Sequence, residues 1–329
     1  MLVSPLSDLV GDESAFFADY FGRAPYLNAG AFGESYRELL TVVDLDRIVN
    51  SEYLRPPYIQ LIENSERVPT SKFTADVWVS GERVPDHVVP SKVLDCFRNG
   101  ATIEWPLIDR DQPSLRMLAA GLSTRFGAPV DVTAFLRPAG TQACGPSCDL
   151  VDLFIIQLQG SSCWQLWPTS GRLETGVTRL DPAALGEASG SHSLRSGDVM
   201  YLPRNTFHVV AAERSTSLHL VVALRVRRRQ DLLSDLVGLA VERDRQAWEL
   251  VHSRHTSQDE LEDQLTTAIG LLTRTLEAPE TVAALAEVLA RSSGSEVRTT
   301  GASFAELARA ESWSENPGTV YPFFADLPD

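Results

Sequence analysis

Hydrophobic spacing divides the chain into three stretches. From residue 12 to 50 the pattern is helical, with a turn around GRAPYLNAG. Between Ser114 and Phe126, Leu115, Leu118, Leu122 and Phe126 recur at the interval that puts them on one face of a helix. Pro113 and Gly127 bound it, as helix starts tolerate proline and helix ends favour glycine. From about 129 to 226 the pattern changes. VDVTAFLRP, DLFIIQL, CWQLWP, GDVMYLP and SLHLVVALRV are β-rich segments separated by Gly, Pro, Ser and Asn turns. Many short strands without regular intervening helices predict a mainly β barrel or jelly roll with helices around it.

Beyond residue 230 helical spacing returns. Leu232, Leu233, Leu236 and Leu239 form one stripe, and Leu261, Leu265, Ile269, Leu272 and Leu276 form another. Ser303 and Glu306 have capping-box spacing ahead of a further short helix. Stripes this apolar need cover, from the barrel or from a second copy. The expected organisation is an N-terminal helical and strand part over 1–128, a jelly-roll core over 129–229 and a helical, dimerisation-type region over 230–329.

Composition narrows the class. The 329 residues are 43% hydrophobic and 22% charged, as in soluble globular proteins. The longest apolar runs, such as residues 153–156 and 218–224, fall far short of a membrane span. The acidic opening MLVSPLSDLVGDES has no basic leader, so a cytoplasmic location is expected. A net charge of −15 would repel a phosphate backbone, and the one basic cluster, residues 225–229, reads as a solvated strand end. Nucleic acid is therefore not the expected partner, whereas a basic protein or peptide is compatible. Cys96, Cys144, Cys148 and Cys163 do not make two CxxC pairs, so no structural zinc site is indicated.

The chemistry concentrates in GPSCDLVDLFIIQLQGSSCWQLW, residues 145–167, and in LPRNTFH, which ends at His208. With FFADYFGRAPYL, GATIEWPLIDRDQPSLRMLAAGLSTRFGAPVDVTAFLRPAG and LRSGDVMYLPRNTFHVVAAERSTSLHLVVAL, these stretches run in order over roughly residues 14–224. They resemble the JmjC-type ribosomal oxygenases, cupin-like 2-oxoglutarate-dependent hydroxylases. The resemblance implies a double-stranded β-helix followed by a helical dimerisation region. It also implies Fe(II) and 2-oxoglutarate, and a protein, peptide or peptide-like substrate.

In that family two His and one carboxylate hold iron on one face and leave positions open for cosubstrate and oxygen. Alternate strand residues point the same way, which is why the first two ligands are spaced His-x-Asp. By resemblance Asp149 is the carboxylate and His208 the distal His, but the first His position is Ser147. Ser162 stands where the family places the Lys or Arg that pairs with 2-oxoglutarate. Along VTAFLRP the cosubstrate-facing positions are Thr133, Phe135 and Arg137, and Arg137 offers a positive charge from a different strand. Substitutes for the missing His are His219, His192, Cys144 and Cys148. A lone strand His is more often structural than a ligand, His192 is expected in a loop, and Cys148 should point away from Asp149. Two readings stay open: an oxygenase with an atypical metal and 2-oxoglutarate site, or a catalytically silent binding or scaffold protein.

Overall fold

The computed structural model describes residues 5–33, 35–64, 66–141, 145–167, 185–249 and 257–293. Its strands are β1 (Tyr26–Asn28), β2 (Gln60–Glu63), β3 (Glu66–Arg67), β4 (Thr74–Val79), β5 (Glu82–Val88), β6 (Thr102–Trp105) and β7 (Val130–Arg137). They continue with β8 (Asp152–Gln159), β9 (Ser161–Trp167), β10 (Gly190–Arg195), β11 (Val199–Leu202), β12 (Phe207–Ala212) and β13 (Ser217–Leu224). An eight-stranded sheet has the order β1-β11-β8-β13-β7-β6-β2-β3, and a three-stranded sheet the order β10-β9-β12. Strands β4 and β5 form a separate hairpin.

Side-chain alternation explains how the sheets pack. On β8, Leu153 and Ile155 meet Trp164, Leu166, Leu194 and Val210 of the small sheet, which makes the inside of the jelly roll. The alternate residues Phe154, Ile156 and Leu158 face the other way. They pack with Leu218, Leu220, Val222 and Leu224 of β13 and with the helices Pro5–Val10, Val42–Val49 and Pro113–Phe126. Both faces of β8 are therefore buried, and DLFIIQL reads as a continuous apolar run. Each fully buried Leu, Ile or Phe contributes roughly 1.5–3 kcal/mol. The same alternation on β7 leaves Thr133, Phe135 and Arg137 on the inner face.

The helix Pro113–Phe126 forms where its spacing predicts it, burying Leu115, Leu118 and Leu122 and ending at Gly127 with φ +58°. The stretch from 12 to 50 differs from expectation. It is helical over Glu13–Tyr20 and Val42–Val49, but Tyr26–Asn28 is a strand, with Tyr26 opposite Tyr201 of β11. Within the expected turn, the free edge of β11 and the ring packing of Tyr26 on Phe16 and Tyr20 draw these three residues into a strand. His192 also differs: it lies in β10, opposite Trp164, and not in a loop.

After the barrel come the helices Arg229–Arg243, Gln258–Glu277 and Thr281–Ser293. Ser257 and Glu260 cap the second reciprocally. Leu232, Leu233, Leu261, Leu265, Ile269 and Leu276 remain exposed on this region. By internal contacts the described residues fall in one compact unit. Ser303 and Glu306 lie outside the described residues. Among the described residues no helix is long and apolar enough to cross a membrane.

Candidate functional site

A cavity of about 470 Å³ opens between the sheets, and Ser147, Asp149, His208, Arg137, Glu104 and His219 are in its wall. Ser147 and His208 are brought together by the backbone. Ser147 N–H donates to the His208 carbonyl at 3.1 Å and His208 N–H to the Ser147 carbonyl at 2.8 Å. Directly opposed residues of an antiparallel pair project to the same face. Asp149 follows two residues on, and its Oδ2 is 3.8 Å from Nε2 of His208.

The second ring nitrogen decides the chemical state of His208. Nδ1 lies 3.1 Å from the Thr206 carbonyl, which can only accept, so Nδ1 carries the proton. Nε2 then presents its lone pair towards Asp149, the form that ligates metals. Burial holds this imidazole below its ordinary pKa range, against the opposing pull of the Asp149 charge.

Asp149 and His208 therefore fit a divalent cation held from two sides. Among the described residues no group of three His, Cys, Asp or Glu is arranged to hold a metal ion. Ser147 contributes only a hydroxyl at the third position. Cys148 is buried, with its thiol pushed up by desolvation. Cys144 lies outside the described residues.

His219 reaches the same cavity wall from β13. Its ring stacks on Phe135 with centroids 5.3 Å apart and meets Trp164 edge-on at 5.6 Å. Burial, helped by the charge of Arg137, pushes its pKa down to about 3, so it is neutral at physiological pH. It is not brought into a metal-holding group with Asp149 and His208.

The other expected cofactor residues separate. Arg137 is in the cavity wall and only 9% exposed, with Nη1 donating to Thr102 Oγ1 at 3.3 Å. Burial lowers its pKa to about 10, which leaves it cationic at neutral pH. Thr133 and Ser162, expected as cosubstrate contacts, are not in this cavity wall. Ser162 is fully buried. It donates to Gln157 Oε1 at 2.7 Å and accepts from Trp164 Nε1 at 2.9 Å, so its hydroxyl is already satisfied.

Spacing did not single out Glu104, whose carboxyl is raised by desolvation and pulled back by Arg137. The available signal was a charged residue inside the otherwise apolar ATIEWP, between two positions that become core.

A family model described as a JmjC domain matches residues 111–232. That region resembles a JmjC domain, and the chain is similar to ribosomal oxygenases. It is 24% identical over 235 residues to the bifunctional lysine-specific demethylase and histidyl-hydroxylase NO66 of Dictyostelium discoideum, covering 69% of this chain and 43% of that protein. It is 23% identical over 253 residues to ribosomal oxygenase 1 of Danio rerio, covering 73% and 43%. The chain thus spans less than half the length of these curated relatives. The Escherichia coli ribosomal oxygenase YcfD, solved with cobalt and 2-oxoglutarate, superposes with a TM-score of 0.56 at 14% identity, covering 84% of this chain and 70% of that one. That likeness shows a shared fold.

Proposed function

We propose that this JmjC-domain chain is a non-haem, metal-dependent oxygenase of the hydroxylase type, acting on a protein, peptide or peptide-like substrate through an atypical metal and 2-oxoglutarate site. The observation that carries this reading is the state of His208: a lone pair on Nε2, 3.8 Å from Asp149, on the wall of an open cavity. Asp149 and His208 would hold the metal, and Fe(II) with 2-oxoglutarate supplies the oxidising chemistry when bound. Arg137 would pair with the cosubstrate carboxylate.

The remaining steps belong to the chain's own residues. The Thr206 carbonyl keeps the proton on Nδ1 and so fixes which nitrogen faces the cavity. Phe135, Trp164 and Val221 make part of its wall apolar and exclude water there. A volume of about 470 Å³ accommodates a substrate side chain, within the usual range for ligand pockets. The acidic net charge suits a basic segment of protein. The exposed residues Leu261, Leu265, Ile269 and Leu276 support a homodimer formed through the helical region.

A specific observation favours a second reading, a catalytically silent binding protein. Among the described residues only Asp149 and His208 are placed as metal donors, and Ser162 is closed into a protein hydrogen-bond network. Anaerobic Fe(II) titration of the metal-free protein, with and without 2-oxoglutarate, separates the two readings. Stoichiometric binding that Asp149→Ala and His208→Ala both remove supports the oxygenase. No binding at micromolar iron moves the function to the silent reading.

A further inference from the structure

A second cavity, of about 570 Å³, shares no wall residue with the first. It lies between the end of the helix Val42–Val49, the segment 51–58 and residues 110–112, just ahead of the helix Pro113–Phe126. Ile48 and Leu54 give it apolar surface. Tyr53, Tyr58, Arg110, Asp111 and Gln112 bring rings and polar groups to the same wall.

Gln112 is the residue that folding alone does not account for. It is 7% exposed, yet among the described residues its carboxamide has no hydrogen-bond partner. It stands at the N-cap of the helix Pro113–Phe126, where a short oxygen-bearing side chain would satisfy the first N–H groups, but it caps none of them. Its backbone is satisfied, since its N–H donates to the Ile108 carbonyl and its carbonyl accepts from Arg116 N–H. A carboxamide withdrawn from water without a partner is destabilising. A ligand that offers a donor and an acceptor side by side would remove that cost.

The rest of the wall narrows the ligand. Tyr53 is 86% exposed and Tyr58 45%, so two rings are open to a flat partner. Arg47 also borders the cavity but already pairs with Asp44 at 2.9 Å. Arg110 feels the Asp109 carboxyl, which is itself buried and accepts the Val132 N–H of β7. The wall therefore combines a cation in Arg110 with a carboxylate acceptor in Asp111. A simple anion would meet both charges and gain little. A ligand made of a flat base, a hydroxylated sugar and a phosphate uses every one of these groups.

We propose that this second cavity binds an adenine nucleotide. The Gln112 carboxamide pairs with the adjacent N6–H donor and N7 acceptor of the base, and Tyr53 and Tyr58 stack on its ring. Asp111 accepts from the ribose hydroxyls, and Arg110 donates to the phosphate. The site needs no metal and is independent of the oxygenase reading above.

The test is calorimetric titration of AMP, adenosine, UMP and inorganic phosphate into the full chain. Wild type, Tyr53→Ala, Arg110→Ala, Gln112→Leu and Asp149→Ala are compared, each with its thermal melt. Wild type should bind one AMP, and bind UMP and phosphate more weakly. Tyr53→Ala, at a position 86% exposed, should melt as wild type does and bind AMP about five- to 150-fold more weakly. Arg110→Ala should lose about ten- to a hundredfold for AMP and keep its affinity for adenosine. Gln112→Leu should melt no lower than wild type, because an unpaired amide is gone, and should bind AMP no better than UMP. Asp149→Ala should bind AMP as wild type does. No saturation of wild type by AMP at millimolar concentration, wild-type affinity in Tyr53→Ala or Gln112→Leu, or loss of AMP binding in Asp149→Ala would each overturn the proposal.

Discussion

Placing a histidine at Ser147 tests the metal half of the site in the direction of gain. Ser147 and His208 exchange both backbone hydrogen bonds, and residues so paired have Cα atoms about 5.5 Å apart with side chains on one face. Ser147 borders the open cavity, so an imidazole there has room to enter beside Nε2 of His208. Asp149 completes a two-His, one-carboxylate set from the same side. Losing only an outer-shell partner of a metal ligand costs about 10–100-fold in affinity. A direct ligand should contribute at least that, or about 1.4–2.7 kcal/mol. The assay is anaerobic titration of Fe(II), and of Co(II) as an air-stable probe, into wild type, Ser147→His and Ser147→His/His208→Ala. Ser147→His should bind each metal at least tenfold more tightly than wild type, and the second substitution should abolish the gain. At a metal concentration 100 times Kd the variant should also be stabilised by about 2.7 kcal/mol, visible as a raised melting temperature. Unchanged affinity, or a gain that survives without His208, would show that positions 147 and 208 do not converge on one ion.

Other outcomes follow from the same geometry. Gly160 has φ +69°, and a Cβ there would lie 2.2 Å from the Thr216 carbonyl oxygen, so Gly160→Ala should lose about 2–5 kcal/mol in urea unfolding; a loss under 1 kcal/mol would contradict the tight β8–β9 turn. The Asp44 carboxyl is held below its usual range, first by the Thr41 hydroxyl and further by the Thr41 N–H and Arg47, against desolvation. A depressed carboxyl stabilises above its unfolded value, and that stability is lost as pH falls through the folded one. Asp44→Asn should therefore be about 0.3–1 kcal/mol less stable at pH 7, with the gap closing below about pH 4; a gap that persists in acid would exclude the ionic contribution. Leu265→Glu/Ile269→Glu alters two residues that are 54% and 62% exposed, and light scattering should report a halved mass with an unchanged circular dichroism spectrum; an unchanged mass at micromolar protein would rule out this face as the dimer contact.

Much of the fold was legible because burial imposes period. Strands β7, β8 and β13 lie in the middle of the large sheet with apolar residues on one or both faces, and the sequence shows it. Strand β10 did not show it. GSHSLR is an edge strand with only Leu194 buried, held by backbone pairing to β9 and not by a side-chain pattern. Strand β1 did not show it either, since its three residues lie in a segment read as a turn and their conformation is set by the edge of β11. The late leucine stripes were read correctly as helices, yet periodicity could not say whether the barrel covers them. Exposure at Leu261, Leu265 and Ile269 comes only from three dimensions.

The two serines show where sequence stops in the site. Along the chain Ser147 and Ser162 look like one event, each a small hydroxyl where a longer ligand-binding side chain is expected. Alternation predicts the side to which each points but not what stands opposite. In space Ser147 faces an open cavity across from His208, so a longer side chain at 147 has room beside that imidazole. Ser162 faces Gln157 and Trp164, and a lysine there would drive an ammonium into a network whose polar atoms are already paired. Reversal at 147 is therefore an addition to empty space, whereas reversal at 162 is a disruption of the core. The cationic charge on the cavity wall comes instead from Arg137, on β7, with Glu104 in the same wall. Metal affinity and acid affinity should thus respond to different residues: Ser147→His changes the first and Arg137→Gln the second. A single loss of function at both serines would tie the two together, and the geometry gives no route for that coupling.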